Sequence, residues 1–271
     1  MRAITIVLLS GLLPGVSSVL LAGQDWRALF EDLVNPDEAV SAKARETALG
    51  KLVPHLLEID AASADAEIAK IVPLFDDPRD SVRLQVSGLI AGTAALRNDG
   101  LLAIRSAIPV LLKQFRDSQR RVRENAIRTM ATVRPGPPIE SLSPFTDLLT
   151  DSDTRVVGTA TIGLMRLSPT MPSAERAVRE FLGTEKRPDR LQSALYGIAE
   201  SGFGNEETVS VVAALLGHRD ERVALTSAYA IQKLGPRAGS ARDALDRVRR
   251  APESSDQLRT AAQAAIAAIS Q

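Results

Sequence analysis

Apolar residues return every four positions along much of this chain, in short runs that resemble one another. Val122-Arg-Glu-Asn-Ala126-Ile-Arg-Thr-Met130 sets the pattern. The same spacing recurs as Ala44…Ala48…Leu52, Val82…Val86…Ile90, Val156…Ala160…Leu164, Arg190…Ala194…Ile198, Val223…Ser227…Ile231 and Leu258…Ala262…Ile266. The first residues of these runs, at 44, 82, 122, 156, 190, 223 and 258, stand 33 to 40 residues apart. Apolar positions at i, i+4 and i+8 lie along one side of an α-helix, so each run predicts an amphipathic helix. Seven copies at a near-constant period predict an array of repeats.

Upstream of each run lies a second short apolar stretch. These are Trp26…Phe30…Val34, Ile68…Ile71…Phe75, Ile108…Leu112…Phe115, Phe145…Leu149, Ala177…Leu182, Val209…Leu216 and Ala244…Val248. Each unit therefore reads as a helical hairpin. Helix punctuation falls at the junctions: Asn35-Pro36-Asp37-Glu38 and Asp77-Pro78-Arg79-Asp80 place a capping side chain before a proline expected in the first helical turn. Ser254-Ser-Asp-Gln257 has capping-box spacing, and Asn205 is placed to cap the helix after Gly202 and Gly204. Pro73 and Pro109 are expected to kink or begin first helices. No strand pattern competes, and Asp99-Gly100 separates two stretches of helical period.

The units Ile108–Arg123 and Ser143–Val156 resemble HEAT repeats, and Arg219-Asp220-Glu-Arg-Val223…Leu234-Gly235 is similar to the variant of phycobilisome-lyase-type HEAT proteins. The resemblance covers about residues 24 to 271. It implies an all-α fold, an α-solenoid wound as a right-handed superhelix of about seven stacked hairpins, with the second helices lining the inner surface. Departures occur at Ala44 and Arg190 in the apolar anchor position. They occur also at Val157, Leu191 and Ala224, where the family carries an arginine after the anchor; those units are expected to be distorted.

Residues 1–23 are set apart from the array. Met1-Arg2 precedes an apolar stretch through Leu13, then Pro14-Gly15 and small residues, the pattern of a secretory signal peptide. Cleavage after Ser18 or near Ala22-Gly23 fits equally. An uncleaved anchor and a buried first helix are the other readings. Leu20-Leu-Ala-Gly23 resembles a lipobox, but Gln24 stands where that motif has cysteine. The expectation is a secreted or periplasmic protein, with membrane contact only through an uncleaved leader.

Composition removes several chemistries. No cysteine is present among 271 residues, which excludes disulfides, thiolate nucleophiles and Cys-ligated metals. Thirty-three basic and 33 acidic side chains balance, which argues against nucleic acid held by bulk charge. His55 and His218 are the only histidines. They lie in different units, without the paired His-Glu motifs by which HEAT-repeat deoxyhypusine hydroxylases resemble one another. Gly158-Thr-Ala-Thr-Ile-Gly163 lacks the Lys-Ser/Thr of a phosphate loop, and no G-x-S-x-G elbow occurs. Asp76-Asp77 and Asp151-Ser-Asp153 sit at turns where capping explains them. No catalytic residue, cofactor or metal site is predicted.

Arg45, Arg83, Arg123 and Arg259 follow the anchors, with Asp80, Asp117 or Asp256 a few residues before most of them, and they are read as a ladder between turns. Two features remain for recognition. The sixth position after the anchor holds Gly50, Gly88, Arg128, Ile162, Tyr196, Tyr229 and Ala264, so both tyrosines share one register, expected about 10 Å apart. Charge is also uneven: residues 24–80 carry net −7 and residues 101–140 net +5. The basic cluster comprises Arg116, Arg120, Arg121, Arg123, Arg128 and Arg134. The reading is an exported, non-catalytic scaffold offering a concave surface, with Arg116, Arg120, Arg121, Arg128, Tyr196 and Tyr229 as candidate contacts, to a protein or peptide. The alternative is a HEAT-repeat enzyme or subunit, phycobilin-lyase-like or resembling the alkylpurine DNA glycosylases.

Overall fold

A computed structural model describes residues 26–96, 102–132 and 142–271. The proposed leader, Asp99-Gly100 and Arg134 lie outside the described residues. Among those described, every regular element is helical. The chain is an α-solenoid of helical hairpins stacked in two layers. One layer holds the second helices, Asp80–Leu96, Arg120–Thr132, Thr154–Leu167, Pro188–Ser201, Glu221–Leu234 and Asp256–Ile269, each packed on the next. The other holds the first helices, including Ala61–Ile71, Ile108–Gln114, Pro172–Thr184, Glu206–Ala214 and Arg242–Arg250.

Hydrophobic burial follows the four-residue spacing. Val82, Val86, Ile90, Val122, Ala126, Met130, Val156, Ala160, Leu164, Val223 and Ile231 are each fully enclosed. All but Val122 join Phe75, Phe115 and Phe145 from the first helices in one continuous core. Phe115 meets Phe145 edge-on at 4.7 Å, locking the third unit to the fourth. A lone hairpin has nothing to set against its stripe, so each unit depends on its neighbours.

A very close approach joins the fourth and fifth units. A Cβ on Gly197 would stand 2.6 Å from the Gly158 carbonyl oxygen and 2.7 Å from Thr161 Cβ. Only the absence of side chains at both glycines lets these two helices meet so closely. Polar bonds reinforce the stack elsewhere. Glu175 is buried and accepts from the Asn205 backbone N–H at 2.7 Å and from Thr208 Oγ1 at 2.6 Å, joining the first helices of the fifth and sixth units. Asp65 likewise accepts from Ser106 Oγ at 2.8 Å.

Helix starts depart from the sequence reading in detail. Asn205 caps as expected, accepting from the Thr208 N–H at 2.9 Å. The last helix is capped by Ser255 instead of Ser254, through the Leu258 N–H at 3.1 Å. Pro36 and Pro78 precede the helices, which begin at Glu38 and Asp80, because Asn35 and Asp77 first accept the N–H two residues on and form a turn. Pro73 turns the end of its helix into a tighter 3-10 segment, Val72–Asp76, and Pro109 begins the helix Ile108–Gln114.

The distortions expected at divergent units take specific forms. In the first unit, Glu38–Thr47 runs through a π turn, Ala48–Leu52, into Val53–Glu58. The Val53 N–H reaches back to the Ala48 carbonyl, and Pro54 has no N–H to continue the tighter ladder. In the fifth unit the stripe keeps Ala194 and Ile198, Leu191 and Leu195 are buried beside them, and Arg190 turns from the anchor position toward the hairpin loop. Gly197→Ala is expected to cost about 3 kcal/mol in urea unfolding, because the new methyl meets backbone. Gly183→Ala, with open space at its Cβ, should stay within about 1 kcal/mol of the parent, on the stabilising side.

Candidate functional site

Two faces of the stack carry organised polar groups. The first is the edge where hairpin turns line up. In six successive turns one side chain accepts the backbone N–H two residues on: Asn35, Asp77, Asp117, Asp151, Glu185 and His218, at 2.8 to 3.0 Å. His218 Nδ1 thus does the work of a turn aspartate. His55 is half-buried in Val53–Glu58, far from it in sequence.

Arginines tie these turns together. Arg83 Nε stands 2.6 Å from Asp117 Oδ2, and its Nη1 donates to the Asp77 carbonyl at 2.8 Å. Arg123 Nη2 donates to Asp151 Oδ1 at 2.9 Å, and its Nη1 donates to the Asp117 carbonyl at 2.8 Å. Both pairs are nearly buried. The fourth unit has Val157 where the ladder arginine would stand, and the core encloses it. Arg190 supplies the missing rung from the other side, donating to the Thr150 carbonyl at 2.6 Å and the Asp151 carbonyl at 3.1 Å. Arg259 stays local, pairing with Asp256 at 2.8 Å; the side chain of Arg45 is not among those described.

Donation to the Asp117 carboxylate raises the Arg83 guanidinium further above its ordinary range, against its partial burial. Burial pushes the Glu185 carboxyl up, but backbone N–H groups of Arg187 and Lys186, with Arg190, outweigh it and hold the group below its usual range. A depressed carboxyl contributes stability at neutral pH that is lost as the pH falls through its folded value. A cleft of about 840 Å³ opens on this edge, bounded by Leu112, Arg116, Arg123 and Asp147. Its charges are mixed and already paired across units, Lys113 with Asp76 at 2.6 Å and Arg116 with Asp147 at 3.6 Å.

The second face is the outer side of the second helices. The sixth position after each anchor is half-exposed or exposed in every unit, from Gly50 to Ala264. A groove of about 390 Å³ runs across it from Arg120 and Arg128 over Arg155, Gly158 and Ile162 to Tyr196 and Glu200. Gly158 and Gly197 leave its floor without side chains. Tyr196 is 48% exposed, whereas Tyr229 packs partly against the core. Their rings meet at 5.7 Å, tilted by 59°, closer than the 10 Å helix spacing suggested, because the side chains lean toward one another. Lys233 Nζ lies 5.5 Å from the Tyr229 ring centre, and Tyr229 Oη donates to Glu200 at 3.4 Å.

The basic cluster of the sequence is divided between these faces. Arg116 and Arg123 belong to the turn edge. Arg120 borders the groove but is held by Glu124 at 3.0 Å and Asp153 at 3.3 Å. Arg121 and Arg128 are seven residues apart on one side of their helix, exposed, and their guanidinium groups form no ion pair among the described residues. Sequence reasoning missed Arg155 and Arg166 on the same side of the next second helix, Arg155 in the register of Arg121 and Arg166 four residues beyond that of Arg128. Their positions relative to the anchors, one before and ten after, would have found them.

These observations define an all-α solenoid of stacked helical hairpins with an open second-helix face. Residues 108–199 match a family model described as HEAT repeats. No curated protein matches the chain. Among solved structures, an engineered protein aligns over 90% of this chain and 68% of its own at 18% identity and TM-score 0.48. A designed armadillo repeat protein aligns over 90% and 100% at 19% identity and TM-score 0.40. A chain from a study of the interaction between cadherin and beta-catenin aligns over 91% and 52% at 15% identity and TM-score 0.44.

The turn ladder is expected to be structural. Asp117→Ala should cost about 3 kcal/mol in urea unfolding, since it strands a nearly buried arginine. Asp246→Ala, in a partly exposed pair with Arg249, should cost under about 1 kcal/mol.

Proposed function

We propose that this protein is an exported, non-catalytic interaction scaffold whose second-helix face receives a peptide or an extended segment of another protein. The observation that carries the reading is the groove at Tyr196. A large ring stands nearly half exposed beside a floor of glycines, in a column left open along the whole stack. Tyrosine offers broad apolar area with a polar tip and few rotamers to freeze, which suits it as a binding anchor. The groove crosses three units, a length that suits an extended chain.

Export belongs to the same proposal and rests on the leader pattern of residues 1–23. Residues 24–271 would then be the mature scaffold. The likeness of Arg219–Gly235 to phycobilisome-lyase-type repeats enters as a subtype of repeat, without the lyase activity.

Selection from a random peptide library on the full chain tests the reading. Peptides should be enriched above a background set by an unrelated helical protein. Tyr196→Ala plus Tyr229→Ala should weaken them about thirtyfold with the helical circular dichroism unchanged. An unenriched library, or peptides bound equally by the double variant, would reject the face.

A further inference from the structure

On that reading, we infer that the occupant of the groove is an acidic polypeptide segment. The inference comes from which charges on this face are already spent. Arg120 is neutralised by Glu124 and Asp153. Farther along the stack, Asp189 is paired with Arg187 at 2.6 Å and Arg222 with Asp220 at 2.9 Å. Between these closed pairs stand Arg121, Arg128, Arg155 and Arg166, all exposed and none in an ion pair among the described residues.

Their placement is regular. Arg121 and Arg155 precede their anchors by one residue, and Arg128 and Arg166 follow theirs by six and ten. All four therefore fall on the outer side of two adjacent helices, leading to Tyr196. Arg128 and Arg155 line the groove itself. The ten-after register is fixed as part of this face by its next members, Glu200 beside Tyr196 and Lys233 beside Tyr229. Adjacent helices lie about 10 Å apart, and an extended peptide advances about 3.3 Å per residue. A carboxylate every second or third residue would meet successive guanidinium groups, which favour the planar two-oxygen geometry.

The groove also separates an acidic peptide from a phosphate chain. Glu200 sits in it as an acceptor, engaged among the described residues by Tyr229 at 3.4 Å. A peptide can offer Glu200 a backbone N–H, while a nucleic acid strand would bring another anion to it. The neighbouring Tyr196 ring then covers an apolar part of the same segment.

The test is fluorescence anisotropy of the full chain with an alternating Glu-Ser peptide of about ten residues, a matching Lys-Ser peptide and a single-stranded oligonucleotide of similar length. The Glu-Ser peptide should bind best and weaken as salt rises. Arg128→Ala plus Arg155→Ala should weaken it about tenfold, and Arg128→Glu plus Arg155→Glu should shift preference to the Lys-Ser peptide. Equal or tighter binding of Lys-Ser by the parent, indifference to the arginine variants, or tighter binding of the oligonucleotide would overturn the inference. Library peptides that depend on the tyrosines while Glu-Ser fails to bind would sink the acidic occupant alone. A library that yields no peptide sinks the scaffold reading as well.

Discussion

Every unit of this molecule carries an apolar stripe that it cannot bury by itself. A short helical hairpin exposes the row of its second helix unless another hairpin lies against it, and the free energy of removing that row from water drives the stacking. Here the row is enclosed between neighbours from Val82 to Ile266. The Gly158 and Gly197 approach and the arginine rungs at the turns are consequences of that packing, since both work only between helices already side by side. The open face is another consequence. A helix that spends one side on its own hairpin and its flanks on two neighbours has its remaining side free.

That geometry assigns different work to residues of the same type. Arg123 and Arg128 are five residues apart, yet one is enclosed against Asp151 at the turn and the other reaches solvent at the groove. Charge on this protein is therefore best read by helical register. The turn edge consumes its ions in pairs across units. The second-helix face of the third and fourth units keeps Arg121, Arg128, Arg155 and Arg166 outside any ion pair among the described residues, although the chain as a whole is neutral.

Much of the fold was legible in the sequence because the four-residue spacing and the 33 to 40 residue period state it twice. The rungs at Arg83 and Arg123 were legible for the same reason, a fixed offset from the anchor with an aspartate just upstream. The π turn at Ala48–Leu52 was not, because one extra residue per turn leaves the apolar spacing of Ala44, Ala48 and Leu52 unchanged. Arg190 was read as a defective anchor. Its role emerges only when Val157 is seen to leave a rung vacant in the unit before. The basic cluster misled because sequence neighbours on a helix point about 100° apart, so Arg123 and Arg128 came to lie on different faces, while Arg116 stands in the turn before their helix. The tyrosine register was right, and their ring contact depended on side-chain directions that register alone does not fix.

The natural absence of cysteine allows a direct measurement of the central claim, that neighbour packing encloses one column of each second helix and leaves another open. Single cysteines placed at the sixth position after the anchor, at Arg128, Ile162 and Tyr196, should react with a thiol reagent about as fast as a short peptide. Cysteines at the fourth position, at Ala126, Ala160 and Ala194, should react only through transient unfolding, slower by about a thousandfold or more. Equal reactivity in the two columns, or protection at the sixth position in the isolated protein, would contradict the account.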